Sequence, residues 1–402
     1  MEADSGIKAA PSNIVLTIIG YVKFTFIGYF TIGLSLGVLP VFIHNQLGYS
    51  AMVAGVVISL QYLSTFLFRA LSGKVIDQKG PRPTVLSSML GFAASGLLLF
   101  IAFSLREHKV LCLSLLALTR VATGFGEGLI GASPIAWAIN VTGDQHTAKV
   151  MSYNGIASYG ALAAGASVGA LFAVFFKISG VAVVAFLIGL AGFFMARKKP
   201  GVKVNAGDRG APFFTVFQIV APYGLGLMLG GLGFGSISTF ITLYYAYLNW
   251  QNAVLCLSVF SAFFIAGRLL FADAINKFGG LKTAIICLAT ESIGLLILWL
   301  ANTPQLALIG AGVAGLGFSL VFPALGVVAV TLAPVGNKGT AIGAYGLFID
   351  ISLGLTGPLV GAVASHFGMA YIFVFSMLMV LLGLFLCLVI YNFKTPVKVN
   401  NS

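Results

Sequence analysis

Val181-Ala-Val-Val-Ala-Phe-Leu-Ile-Gly-Leu-Ala-Gly-Phe-Phe-Met-Ala196 runs for sixteen residues without a charge, an amide or a hydroxyl. Polar and apolar positions do not alternate in it, which excludes a barrel strand with one wet side and implies an apolar helix. Leu378–Tyr391 reads the same way. Working outward with about 20 apolar residues per crossing, comparable runs lie near 14–43, 51–72, 83–105, 110–139, 150–176, 178–196, 213–247, 251–272, 281–301, 304–335, 340–365 and 369–393. An all-α membrane protein with twelve transmembrane helices is therefore expected. Composition agrees, since 59% of the 402 residues are hydrophobic and 8% charged, against about 25% charged in soluble domains. The mean hydropathy is +1.04.

A net charge of +12 invites a nucleic-acid reading, but the basic residues sort by loop instead. With the amino terminus inside, eighteen Lys and Arg fall on cytoplasmic segments, and only Arg106, Lys109 and Lys177 fall opposite. That bias places both termini in the cytoplasm and makes the lipid bilayer, not nucleic acid, the expected partner. Met1–Ser12 holds Glu2 and Asp4 and lacks a basic start, so the first span is expected to be a retained helix rather than a cleaved leader. Cys112, Cys256, Cys287 and Cys387 lie in apolar spans, and the four histidines lie in loops or at span ends. No ligand spacing appears, so no metal and no cofactor are expected. Phosphate-cradling loops, nucleophile elbows and His-supported triads are absent too, which argues against an enzyme.

The polar connector Arg197–Pro212 divides the chain into bundles at 1–196 and 213–402, with 197–212 as a cytoplasmic linker. An internal repeat supports the division: Arg69-Ala-Leu-Ser-Gly-Lys-Val-Ile-Asp77-Gln-Lys-Gly80 is echoed by Arg268-Leu-Leu-Phe-Ala-Asp273-Ala-Ile-Asn276-Lys-Phe-Gly279. Gly124-Phe-Gly126 is echoed by Gly315-Leu-Gly317. Parallel duplication about an axis along the membrane normal is one architecture of secondary transporters.

Gly73-Lys-Val-Ile-Asp77-Gln-Lys-Gly80-Pro-Arg82-Pro resembles the loop signature G-x-x-x-D-x-x-G-R/P-R/K of the major facilitator superfamily. The resemblance implies two pseudo-symmetric six-helix bundles, with Gly73, Asp77, Gly80 and Arg82 as gating residues on the cytoplasmic side. Three further stretches are similar to bacterial arabinose-efflux-like permeases of the drug:proton antiporter type. They are Gly33-Leu-Ser-Leu-Gly-Val-Leu-Pro40-Val-Phe-Ile-His44, Ile58-Ser-Leu-Gln61-Tyr62, and Gly124-Phe-Gly-Glu127 together with Tyr153-Asn154-Gly-Ile-Ala-Ser-Tyr159. They imply proton-coupled efflux across a bacterial inner membrane. One departure stands out: the antiporter signature GPxxGG of the fifth span is replaced by Gly165-Ala-Ser-Val-Gly169-Ala, without proline. The close-packing role of Gly155, Gly160, Gly165 and Gly169 is still expected.

Coupling chemistry must reside in ionisable groups inside the spans, each costing about 2.5–3.5 kcal/mol at a helix centre unless paired or solvated. Arg120 and Glu127 are seven residues apart in the fourth span, which returns to within roughly 20° of one face and sets their attachment points about 10 Å apart. A direct salt bridge needs both side chains extended, and a water-mediated link fits equally. The resemblance to the family's R-x-x-x-G pattern associates this face with proton transfer. Asp350 in the eleventh span is the second proton-coupling candidate. Glu291 in the ninth reads as a structural carboxylate near Arg268. Polar and aromatic groups on the helices that the family places around its cavity nominate Thr31, Ser35, Gln61, Tyr62, Asn154, Tyr159, Tyr223, Thr239 and Thr242 for cargo contacts. Few amides line these spans, so a small amphipathic molecule is expected as cargo and protons as co-substrate, handled by a monomer. An organic anion or siderophore-like metabolite, and an uncoupled solute or lipid permeation path, are the alternatives.

Overall fold

The computed structural model describes residues 14–49, 51–202, 211–271, 273–334 and 336–393, and no strand occurs among them. The long helices are α1 (Ile14–Leu36), α2 (Ala51–Lys79), α3 (Pro81–Ser104), α4 (Lys109–Ile130), α5 (Ser133–Thr142) and α6 (Thr147–Arg197). They continue as α7 (Phe213–Tyr247), α8 (Ala253–Leu270), α9 (Gly280–Leu300), α10 (Pro304–Phe318), α11 (Val321–Thr331), α12 (Lys338–His366) and α13 (Ile372–Phe393). Among the described residues eleven stretches are long and apolar enough to cross a membrane, and the shorter apolar Leu255–Leu270 stands at the eighth expected position.

Two expected spans are broken in the middle. Lys109–Thr142 divides into α4 and α5, and Pro304–Thr331 divides into α10 and α11. These are the fourth span of each half, and each break falls just ahead of a proline, Pro134 or Pro323, whose missing N–H interrupts the helical ladder. The opposite surprise is α6, continuous over 51 residues. A straight helix of that length would run about 76 Å, against a hydrocarbon core of about 30 Å. Its neighbours show that it doubles back. Asn154 meets Thr25 of α1 and Gly165 abuts Phe30, after which Gly192 faces Ile27 and Lys199 lies 4.3 Å over the Tyr21 ring. The chain thus follows α1 in one direction and returns along it, making the two crossings read as 150–176 and 178–196.

Gly80 and Gly279, equivalent positions of the sequence repeat, adopt the same positive φ of 82° ahead of α3 and α9. A side chain disfavours that conformation, so the turn is the reason both copies keep glycine.

The chain forms two compact units, 1–213 with 334–344, and 214–333 with 345–402. The segment Pro334–Ala344, inside the expected bundle 213–402, clusters with the first unit. The first unit is centred on Trp137, fully buried, stacked on Phe24 at 5.9 Å and tilted against Tyr21 at 5.2 Å. In the second, Phe234 stacks between Phe260 at 5.5 Å and Phe318 at 5.3 Å. Hydrocarbon offers helices no hydrophobic drive to associate, so close backbone approach does that work. Gly165 and Gly169 rest directly on the α1 backbone at Phe30 and Leu34, as their spacing suggests. Gly160 does not take part, because a Cβ there would meet open space.

Candidate functional site

The centre of the first unit is built on a glycine stripe. A Cβ on Gly124 would strike Gln61 O, and one on Gly128 would come within 2.9 Å of Arg69 N, so α4 lies backbone to backbone on α2. This small-xxx-small pair is the signal that brings α2 side chains onto the Arg120–Glu127 face. Ser64 Oγ donates to Val121 O at 2.8 Å and fixes the register. On the other flank of α4, Ser88 Oγ donates to Gly126 O at 2.7 Å, and Ser95 and Thr123 hydroxyls lie 2.6 Å apart.

Gln61 bridges the pair. Its Oε1 accepts from Arg120 Nη1 at 3.0 Å, and its Nε2 donates to Glu127 Oε2 at 2.8 Å. A primary amide carries a donor and an acceptor at fixed separation, so it spans the gap between a cation and an anion on one helix face. Neither a direct salt bridge nor a water is required. Thr65, one turn beyond Gln61, places its Oγ1 2.9 Å from Glu127 Oε2 and 2.9 Å from Gln61 O. One hydroxyl proton faces two acceptors.

Arg120 is fully buried. Its Nη1 also donates to Ser35 Oγ at 3.1 Å, and Nε reaches Thr119 Oγ1 at 3.3 Å. Its Nη2 is buried and has no hydrogen-bond partner among the described residues. Charge-assisted hydrogen bonds of this kind contribute about 1.5–3 kcal/mol each, so the network holds α1, α2 and α4 in register while leaving one guanidinium edge unspent.

Of the expected cargo contacts, Ser35 and Gln61 join this network. The Thr31 hydroxyl donates instead to Ile27 O at 2.9 Å, and Asn154 accepts from Thr25 at 2.6 Å. Tyr62 is 47% exposed on α2. Tyr159 is half-buried on α6. Tyr223, buried, and Thr239, exposed, lie on α7 in the second unit, and the side chain of Thr242 lies outside the described residues. Asp350 is half-buried on α12, also in the second unit. Thr65 and Thr119 were not among the candidates.

The loop signature forms a second site within the first unit. Asp77 accepts from Gly339 N at 2.7 Å, Thr340 N at 2.8 Å and Thr340 Oγ1 at 2.6 Å. It thereby caps the first turn of α12, where orphan N–H groups and the positive end of the helix dipole favour an anion. Gly73 permits the approach, since a Cβ there would lie 2.6 Å from Thr340 Cα. Arg82 Nη2 donates to Arg197 O at 2.6 Å and so caps the C-terminal end of α6. Lys338 pairs with Asp144 at 2.7 Å, and Asn337 exchanges two hydrogen bonds with the Ala211 backbone.

Repeated six-span halves, a buried cation–amide–carboxylate bridge inside the spans, and a carboxylate-capped helix start define a multi-pass membrane transporter of the secondary class. The sequence matches the Major Facilitator Superfamily over residues 24–280 and 224–402, and the chain belongs to that family. It is 50% identical to an uncharacterized MFS-type transporter of Pseudomonas aeruginosa (strain UCBPP-PA14) over 384 residues, 96% of this chain and 95% of the relative. An uncharacterized MFS-type transporter of Burkholderia mallei (strain SAVP1) is 47% identical over 399 residues, covering 98% and 97%. The fold is shared with the human organic anion transporter MFSD10 (TETRAN), with a TM-score of 0.79 at 15% identity over 94% of this chain and 100% of that one. It is also shared with a bacterial homologue of the iron transporter ferroportin in an outward-facing state, with a TM-score of 0.80 at 14% identity over 94% and 99%.

Proposed function

We propose that this chain is a proton-coupled transporter that exports a small organic molecule from a bacterial cell by alternating access, with Arg120, Gln61, Glu127 and Thr65 as its coupling site. The carrying observation is the bridge itself, a carboxylate inside a span joined through the Gln61 amide to a buried guanidinium and touched by the Thr65 hydroxyl. Asp77 acts in this reading as the cytoplasmic gate, holding α12 in one conformation and releasing it in the other. The loop bias of Lys and Arg supports the inner membrane with both termini in the cytoplasm. Resemblance to drug:proton antiporters supports export and an amphipathic cargo.

A second reading of the cargo, an organic anion, is favoured by the unspent Nη2 of Arg120. A carboxylate reaching it would form a charge-assisted bond at a cation already held in place. Flux of a panel of dyes, amphipathic cations and dicarboxylates into proteoliposomes, with and without an imposed pH gradient, tests both. Gradient-dependent accumulation supports coupling. Flux of any cargo that ignores the gradient identifies an uncoupled permeation path and sinks it.

A further inference from the structure

Glu291 sits mid-span on α9, eleven residues from its start at Gly280 and nine from its end at Leu300, or about 16 and 14 Å along the axis. It is fully buried, and neither carboxyl oxygen has a hydrogen-bond partner among the described residues. The expected ion pair with Arg268 is not made. That guanidinium lies 4.5 Å over the Phe264 ring on α8. The carboxyl instead occupies a notch cut by two glycines of α7. A Cβ on Gly233 would land on Oε1, and one on Gly230 would lie 3.5 Å from Oε2. On the α10 side Gly317 is equally tight, since a Cβ there would lie 2.6 Å from Glu291 Cα. Leu288 and Leu295 from α9, Val321 from α11 and Val380 from α13 stand beside the carboxyl around the two α7 glycines. Cys287, one turn back on the same helix, is the titratable neighbour.

An ionised carboxylate in such a notch would forfeit several kcal/mol of solvation with no donor among the described residues to offset it, a cost the neutral acid avoids. A neutral acid that makes no hydrogen bond adds nothing to packing that leucine or methionine would not do better, and its unmet polar atoms cost about 1–3 kcal/mol. Intramembrane acids with that balance are functional sites. We infer that Glu291 is a proton-binding site, occupied in this conformation and emptied when water reaches the notch between α7, α9 and α10. It is independent of the Arg120–Glu127 bridge and opposite to it in character. Glu127 is furnished with donors that suit an anion, whereas Glu291 is furnished with none. The use of this proton in transport rests on the coupled-transporter reading, but the proton's presence is measurable without any cargo.

Infrared difference spectroscopy of the purified protein in phosphatidylcholine vesicles provides the test. At neutral pH the wild type should show the carbonyl stretch of a protonated carboxylic acid free of hydrogen bonds. The band should be lost in Glu291→Gln, persist in Glu127→Gln, shift on transfer to D2O, and fade reversibly as the pH is raised. Loss of ionised-carboxylate bands in Glu291→Gln, or a band that never exchanges with deuterium, would overturn the proposal. Should Glu291→Gln not insert, Gly233→Ala takes its place. The added methyl enters the seat of Oε1 and should displace the same band, and an unmoved band puts the carboxyl elsewhere and overturns the assignment. Loss of gradient-driven flux in Glu127→Gln with the band intact would separate the two sites.

Discussion

Glu127 and Glu291 are two buried carboxyls in two compact units of similar construction, and their surroundings could hardly differ more. The first lies on a broken span, within reach of an amide, a hydroxyl and, through the amide, a guanidinium. The second lies on an unbroken span among glycines and branched aliphatic groups. Close helix approach through glycine is common to both. What differs is what the opposing backbone brings with it: α2 delivers Gln61 and Thr65 across Gly124 and Gly128, whereas α7 delivers only the hydrogens of Gly230 and Gly233. The same packing device therefore builds a hydrogen-bonded cation–amide–carboxylate bridge in one half and a notch without donors among the described residues in the other.

The most damaging way to probe this comparison is to remove the approach. Gly124→Ala and Gly315→Ala each put a methyl against a facing carbonyl, Gln61 O and Phe260 O respectively. Each should cost about 1–3 kcal/mol by overpacking and lower the yield of folded protein in a thermal-stability assay. Gly354→Ala, which would meet open space, should leave stability unchanged. If Gly124→Ala is as stable as Gly354→Ala, close approach is not what assembles the bridge.

Arg120→Ala comes next. Removing one member of a buried charge pair costs about 3–5 kcal/mol when the other stays charged, and a proton taken up by Glu127 would relieve part of that. Transport should be abolished and the pH dependence of any residual flux should move. Arg120→Lys retains the charge but not the fork that serves Ser35 and Gln61 together. Substantial transport in the Lys variant would reduce Arg120 to an electrostatic role, and normal transport in the Ala variant would remove it from the mechanism.

Glu127→Gln keeps the shape and an acceptor for Gln61 but cannot titrate. Folding and insertion should be intact, exchange without a gradient should persist, and proton-driven accumulation should disappear. Accumulation at the wild-type rate would move the coupling role to Asp350 or Glu291. Milder still, Asp77→Asn keeps one acceptor for the first turn of α12 and forfeits the charge, a loss of about 1 kcal/mol. Cysteine accessibility should report a shift toward cytoplasm-open protein, and an unchanged ratio would leave Asp77 as a topology residue. Lys338→Ala removes an exposed pair worth at most about 1 kcal/mol and should change the same ratio least of all.

The span positions, the 199-residue repeat and the shared face of Arg120 and Glu127 are legible in sequence because each follows from a local period. Even the two crossings joined in the 51-residue α6 are delimited by hydropathy, as spans at 144–173 and 178–197. What lies beyond the sequence is the identity of partners across helices. Gln61 is 59 residues from Arg120 and 66 from Glu127, and nothing local marks it as a bridge. Asp77 finds its donors 262 and 263 residues away. Glu291 defeats the same reasoning in reverse, since charge complementarity suggests Arg268 while the packing supplies only glycine. Thr65 had one usable sign, its position four residues beyond Gln61, and the breaks ahead of Pro134 and Pro323 had theirs in the prolines.

The Thr65 hydroxyl turns about a single bond, a movement of picoseconds to nanoseconds, whereas bundles of helices reorganise in microseconds to milliseconds. In the coupled-transporter reading proposed above, the hydrogen bonds around Glu127 therefore rearrange about a thousand times or more faster than the helices that carry them, so turnover would be paced by the backbone and not by the side chains of the bridge.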